Sequence, residues 1–459
     1  MVFDRLSRLA SMPAFAPAPV LALLLAIPLY LASATTSAAI SLLRDADVEY
    51  GLSQLAAPIL RAAGLSPARV KVLVVNESSL NAFVIDSQTI FLHYGMIQKV
   101  QSAEVLQAVI AHEAAHIANG HIARRTGNLR SARSIAGLGM ALAVIAAAAG
   151  AGEAAGGIAA GTSTSALRGF LVNTRAEEAS ADRSAASYLR NAGINPQGLV
   201  ELHKIFRGQE ALSVGRQDPY MRTHPLTRDR IRAAEAFVAA YGDLSRPDPE
   251  ADYWFARVRG KLSAFTRSTK WTLRRADEEQ AKDLRLMRRA IAYHRQNDLP
   301  RARAAIDGAL AIRPDDAYYY DLKGQIMMES RQIDAALAAY KTAVSLAPRE
   351  PLILGGYGRA LLAAGQPKAA LGPLERARAR DFRDARVLRD LGQAYAQTGQ
   401  KGMASLATAE RYALQGRLAD AGIHAKRATA QLPRGSTGWR RAQDVLIASE
   451  QADKKKKKR

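Results

Sequence analysis

Three of the eight histidines in this 459-residue chain fall within AHEAAHIANGH, residues 111–121. His112 and His116 are four apart, so on a helix their imidazoles share one face, one turn apart, and can bind a single metal ion. Glu113 is rotated by about 100° from that face, placed to reach a water beside the metal rather than to bind the metal itself. HExxH on a helix is the zinc-hydrolase arrangement, with two nitrogen ligands and a general base for attack of water on a carbonyl. His121 follows Gly120 and lies on the opposite side of a continued helix, which suits capping or packing better than ligation. The metzincin spacing, with a third histidine six residues after the second, is absent. A third ligand must come from elsewhere. The EEASAD stretch (177–182) offers Glu178 and Asp182 on one helical face, one able to bind the metal and the other to fix the tautomer of a ligand histidine. Glu177 pairs less well with Asp182, being five residues from it. With no cysteine in the chain, thiolate nucleophiles, disulfides and Cys-type zinc sites are excluded.

These side chains need elements to hold them. Residues 40–65 carry apolar residues at helical spacing and end at Gly64. RVKVLVVN (69–76) reads as a buried strand, and 81–97 as two strands joined by a turn at Asp86-Ser87. The histidine helix starts near Ser102 and stops at Asn119-Gly120; a second helix, 174–193, closes on Gly193. Residues 135–161 contain one charge, Glu153, and read as small-residue helices buried over the catalytic domain or forming a lid, rather than a membrane-dipping hairpin. The Pro/Asp-rich RPDPEADYW (246–254) marks a boundary, followed by a charged connector to about residue 282.

The last third repeats. Ala290, Gly324, Gly358 and Gly392 recur every 34 residues, as do Ala302, Ala336 and Ala370, and Pro314 and Pro348. Small residues where two helices cross and proline at the exit are the tetratricopeptide pattern. The register loosens after residue 400, with one more second helix at 416–433, and KKKKKR (454–459) reads as a solvated, disordered charge run.

At the N-terminus, Arg5 and Arg8 precede the uncharged VLALLLAIPLYLA (20–32), shorter than a bilayer span, and then the small residues ASA (32–34). This is the pattern of an export signal cleaved near Ala34. The net charge of +22 favours anionic surfaces, lipid headgroups included. Export disfavours nucleic acid as a partner and leaves peripheral membrane contact open.

HEAAH, EASAD (178–182), THPLTRDRI (223–231), RDADVE (44–49) and LNAFVIDSQTIFLHYGMI (80–97) together resemble the gluzincin peptidase family of the CAAX prenyl protease. With the export signal and the repeats, the chain is similar to that family's periplasmic branch. The resemblance implies one zinc ion per chain on His112, His116 and Glu178, with Glu113 as catalytic base and Asp182 behind the ligands. It implies that Asn81, Ala82 and Phe83 form an edge strand to which substrate backbone pairs. His224, in the matching THP segment and stiffened by Pro225, becomes a fourth ligand or a regulatory residue.

The expected fold class is an α+β zincin-like metallopeptidase domain followed by an all-α tetratricopeptide-repeat solenoid. Its parts are a signal peptide (1–34), peptidase (35–262), linker (263–282), repeats (283–450) and basic tail (451–459). The expected function is zinc-dependent endoproteolysis of misfolded or misassembled envelope proteins in the periplasm. The repeats would recruit those unfolded or misassembled clients, or partners from the outer-membrane assembly machinery. The alternatives are a largely latent chaperone or adaptor at that machinery, or a quality-control protease anchored in the inner membrane.

Overall fold

The computed structural model describes residues 41–122, 174–213, 216–241 and 246–457. The expected signal peptide and the apolar 135–161 segment lie outside them. Four short strands form one sheet in the order β1–β2–β4–β3: β1 is Leu42–Leu43, β2 Lys71–Val75, β3 Ala82–Val84 and β4 Thr89–His93. β2 and β4 are parallel, while β1 and β3 run antiparallel to their neighbours and form the two edges. Side chains alternate across a strand. Val72, Val74, Ala82, Val84, Ile90 and Leu92 join the main helical core, and Leu73, Val75, Phe83, Ile85 and Phe91 form the other face.

The expected helix at 40–65 is shorter, because Asp45 caps α1 (Ala46–Ala62) by accepting from the Val48 amide, and Leu42–Leu43 are freed to pair as β1. Likewise α2 (Tyr94–Lys99) starts where β4 ends, so the YGMI of the second expected strand is helical. The histidine helix, α3 (Ala103–Ala118), has Ser102 as its N-cap, and Gly120 turns the chain away at φ +69°. It is buried almost end to end, between α1, α4 (Arg175–Asn191) and α5 (Gln197–Phe206). α4 opens on a capping box between Thr174 and Glu177. A short helix α6 (Pro219–Thr223) and α7 (Arg228–Tyr241) complete this part.

The boundary expected at 246–254 is instead a helix start. Asp248 is the N-cap and Pro249 the first residue of α8 (Pro249–Thr266). Its Ala251, Phe255, Val258 and Leu262 belong to the peptidase core, and its Ala264 to the repeat core. The residues expected as a linker, 263–282, are likewise helical: α8 runs to Thr266 and α9 spans Thr269–Asp277.

The repeats pair α10 (Lys282–Arg295) with α11 (Leu299–Ile312), α12 (Ala317–Glu329) with α13 (Ile333–Leu346), α14 (Pro351–Ala363) with α15 (Pro367–Arg380), and α16 (Ala385–Gln397) with α17 (Lys401–Leu414). The 34-residue columns mark the crossings: a Cβ on Gly324 would lie 2.7 Å from Tyr340, and one on Gly358 2.4 Å from Leu374. The helix expected at 416–433 forms as α18 (Leu418–Gln431), with Ala421 buried. The last helix, α19 (Thr437–Lys457), includes Lys454 to Lys457, the first four residues of the run expected to be disordered. Extending an existing helix avoids the nucleation cost, and lysine is a good helix former.

The repeats lie directly against the peptidase sheet. Leu388 of α16 and Leu414 of α17 cover its outer face at Leu73, Val75, Phe83, Ile85 and Phe91. Arg257 of α8, almost wholly buried, pairs with Asp47 of α1 at 2.6 Å and with Asp316, the cap of α12, at 2.6 Å. Arg44 bridges Glu49 and Asp381, tying the start of α1 to the end of α15. Among the described residues no helix is long and apolar enough to cross a membrane.

Candidate active site

α3 presents His112, Glu113 and His116, all buried. The Nε2 atoms of His112 and His116 are 3.1 Å apart. α4 brings in Glu178, whose Oε2 is 3.3 Å from His112 Nε2 and whose Oε1 is 3.3 Å from His116 Nε2. From the segment after α6, His224 Nδ1 lies 3.3 Å from His112 Nε2 and 3.0 Å from Glu178 Oε1. One ligand atom from each of these four residues falls within 4.8 Å of all the others.

This donor set fits a zinc-like dication. With metal–ligand bonds of about 2.0–2.1 Å, the edges of a tetrahedron measure about 3.3 Å, close to the separations here. Charge agrees with geometry. Among the described residues the buried carboxylates of Glu113, Glu178 and Asp182 face one buried guanidinium, Arg230, so further positive charge is favoured there, from a metal ion or a protonated imidazole. The imidazoles respond to the same imbalance. Burial opposes protonation of His112, yet the Glu178 and Asp182 carboxylates raise it to about 10, whereas burial drops His116 to about 3.

Behind these atoms stands a supporting layer. Asp182 accepts from His112 Nδ1 at 3.0 Å, leaving Nε2 facing the cluster. Arg230 of α7 donates to both Asp182 oxygens at 2.6 and 2.8 Å, to the Pro225 carbonyl at 2.8 Å, and lies 2.8 Å from Glu178 Oε2. Against the cost of burial, Arg230 and His112 hold Asp182 well below the usual carboxylate range. His121 sits 2.9 Å from His116 Nδ1, so it backs a cluster histidine from outside the four-residue set. Glu177 turns away into the capping box with Thr174, leaving Glu178 to enter the cluster. Glu113 makes no hydrogen bond at either carboxylate oxygen; burial raises its pKa, and His224 Nε2 lies 3.4 Å from Oε1.

The edge strand is close by. His224 Nε2 lies 3.2 Å from the Ala82 carbonyl, Thr223 donates weakly to the Asn81 side chain at 3.5 Å, and the Tyr220 amide donates to the Leu80 carbonyl at 3.1 Å. Phe83 points the opposite way, into the contact with the repeats. Sequence reasoning had overlooked Arg230, Tyr220 and His203. Tyr220 stacks on His224 with centroids 4.6 Å apart, and His203 Nε2 is 3.7 Å from Asp182 Oδ2.

Comparison with known proteins agrees with this cluster. Residues 43–238 match the model of peptidase family M48, and residues 327–389 match a tetratricopeptide repeat model. The chain carries an M48 metallopeptidase domain followed by tetratricopeptide repeats. It is 26% identical over 369 residues to the beta-barrel assembly-enhancing protease of Escherichia coli (strain K12), covering 79% of this chain and 75% of that one. The Yersinia pestis protein of the same name is 25% identical over 76% of this chain and 72% of its own length. The metalloprotease LoiP of Escherichia coli (strain K12) is 30% identical over 38% of this chain and 65% of its own. All the residues of the cluster lie within the M48 match.

Proposed function

We propose that this M48 peptidase is a zinc-dependent endopeptidase of the bacterial envelope, held in a latched resting state by His224. The observation that carries the reading is the position of His224, whose Nδ1 lies among the ligand atoms and whose Nε2 meets the edge strand at Ala82. His112, His116 and Glu178 would hold the zinc ion, and when bound it would polarise the scissile carbonyl and acidify a water. Glu113 takes the proton from the attacking water and delivers it to the leaving nitrogen. Asp182, braced by Arg230, holds the His112 ring in place. Asn81 and Ala82 offer backbone to an extended substrate once the 219–224 segment withdraws, and Phe83 anchors that strand from behind.

The similarity to beta-barrel assembly-enhancing proteases supports misassembled or unfolded envelope proteins as substrates and a periplasmic site after export. Tetratricopeptide repeats bind peptides or helices on their concave faces, which supports recruitment of clients or of the outer-membrane assembly machinery. Zinc content and casein cleavage measured side by side on His224→Ala test the latch. Retained zinc with faster cleavage is the expected result. Retained zinc with slower cleavage would assign His224 to transition-state stabilisation, and no change in either would remove it from the mechanism.

A further inference from the structure

Away from the histidine cluster, a cavity of about 330 Å³ opens where α2, α8, α9 and the start of α10 meet. Arg259, Arg267, Arg275 and Arg288 line it, against the carboxylates of Glu278 and Glu279. Four positive charges less two negative leave the lining two charges positive. Arg288 is only 5% exposed. Its guanidinium lies over Gly260, where an added Cβ would come 3.3 Å from Nη1. Nη1 has a long contact with Glu279 at 3.5 Å, while Nε and Nη2 have no hydrogen-bond partner. Those two atoms form the side edge of the guanidinium, the edge that grips two oxygens of one oxyanion in parallel.

A buried donor pair without an acceptor costs roughly 1–3 kcal/mol or more for a charged group, so an acceptor there has a large effect to exploit. The remaining charges do not supply one. Arg275 is engaged by Glu278, and Arg259 has a long contact with the Gln98 carbonyl at 3.4 Å and lies 5.7 Å from the Phe255 ring centroid. Burial and the neighbouring arginines push both Arg259 and Arg288 below the ordinary guanidinium range. The cavity therefore gathers like charges that an incoming anion would relieve. Two of its walls are aromatic: Phe255, with the Arg259 guanidinium 5.7 Å from its ring centroid, and Trp271, with those of Arg288 and Arg267 at 5.7 and 6.0 Å. The volume equals about ten water molecules, more than a phosphate ion occupies.

We infer that this cavity is a binding site for a phosphate ester, with Arg288 holding two phosphate oxygens through Nε and Nη2 and the organic part of the ligand lying along Trp271. The exposed Arg267 and Arg275 complete the neutralisation from the rim. The site spans the peptidase-side α2 and the helices that lead into the repeats, so an occupied cavity ties those elements together.

Calorimetric and thermal-unfolding titrations of the full chain with inorganic phosphate, against chloride at matched ionic strength, test the site. Phosphate should bind and raise Tm where chloride does not. Arg288→Lys keeps the charge but lacks the fork, and should weaken phosphate binding by about tenfold or more. Arg267→Gln and Arg275→Gln alter exposed side chains and should each weaken it as well, which preserves the test if Arg288→Lys does not fold. Arg232→Gln, on the exposed face of α7, should leave binding unchanged. Glycerol 3-phosphate and vesicles of phosphatidylglycerol in phosphatidylcholine separate the two sources of the ester. Binding of soluble glycerol phosphate assigns a small metabolite, whereas Arg288-dependent sedimentation with the vesicles alone assigns a lipid headgroup. The inference is overturned if phosphate stabilises no better than chloride, if the cavity variants bind it as the native chain does, or if neither ester binds.

Discussion

Glu113 is a buried carboxylate with no hydrogen bond at either oxygen, one residue from His112 of the candidate metal cluster. An acid in that state is costly to a purely structural helix and useful to one that moves protons. Glu113→Gln removes the base and keeps the shape. The expected outcome is unchanged zinc content and unfolding temperature with a turnover on casein lower by about 10²–10⁴-fold. Cleavage near the native rate would exclude Glu113 as the base. At this scale the sequence was informative because spacing alone brings His112 onto the face of His116 and Glu178 onto that of Asp182. Arg230 was not visible for the opposite reason. Arg228, Arg230 and Arg232 look alike along α7, and only the packing of that helix on α4 and α5 buries the middle one against Asp182. Tyr220 and His203 are likewise recruited by tertiary contacts that no local pattern announces.

The elements that were legible carry their own terminal signals: Ser102 and Gly120 for α3, Thr174 and Gly193 for α4, and the 34-residue columns for the repeats. Those misread depend on a distant partner. β1 exists because Leu42 and Leu43 pair with Val75 and Val74. α8 reads as a boundary in the sequence because Pro and Asp stand at its first turn, where they cap a helix as well as they interrupt one. A paired substitution tests the packing meaning of the repeat columns. Gly392→Ala, on α16, whose new Cβ would meet nothing nearer than Thr408 Oγ1 at 3.4 Å, should stabilise by up to about 1 kcal/mol through helix propensity. Gly358→Ala gains the same propensity but drives its Cβ to 2.4 Å from Leu374, and overpacking of about 1–3 kcal/mol should win. Thermal unfolding of the two variants should move in opposite directions. A shift of the same sign would detach the small-residue column from the helix crossing.

For the whole molecule, the linker expected at 263–282 implies a peptidase that could be cut from its repeats near residue 270, and the packing argues otherwise. Truncation there would uncover Leu73, Val75, Phe83, Ile85 and Phe91 and strip Arg257 of Asp316. An exposed apolar sheet face of this kind promotes aggregation, and Arg257 would keep Asp47 but lose Asp316 and the Tyr319 ring that cover it from the repeat side. The expected product is insoluble or unfolds well below the full chain; a soluble fragment with native stability would restore the sequence expectation. The same packing places the edge strand between the histidine cluster and the repeats, through Ala82 on one face and Phe83 on the other, which connects client capture to cleavage in the proposed function. All of this rests on one claim, that His112, His116 and Glu178 hold a catalytic zinc ion. The most direct test is zinc content by elemental mass spectrometry, with casein cleavage on the same samples, for the native chain, Glu178→Gln and Glu177→Gln. The account predicts about one zinc per chain and normal cleavage for the native protein and for Glu177→Gln, with both lost in Glu178→Gln. Full zinc and cleavage in Glu178→Gln, or their loss in Glu177→Gln instead, would contradict it.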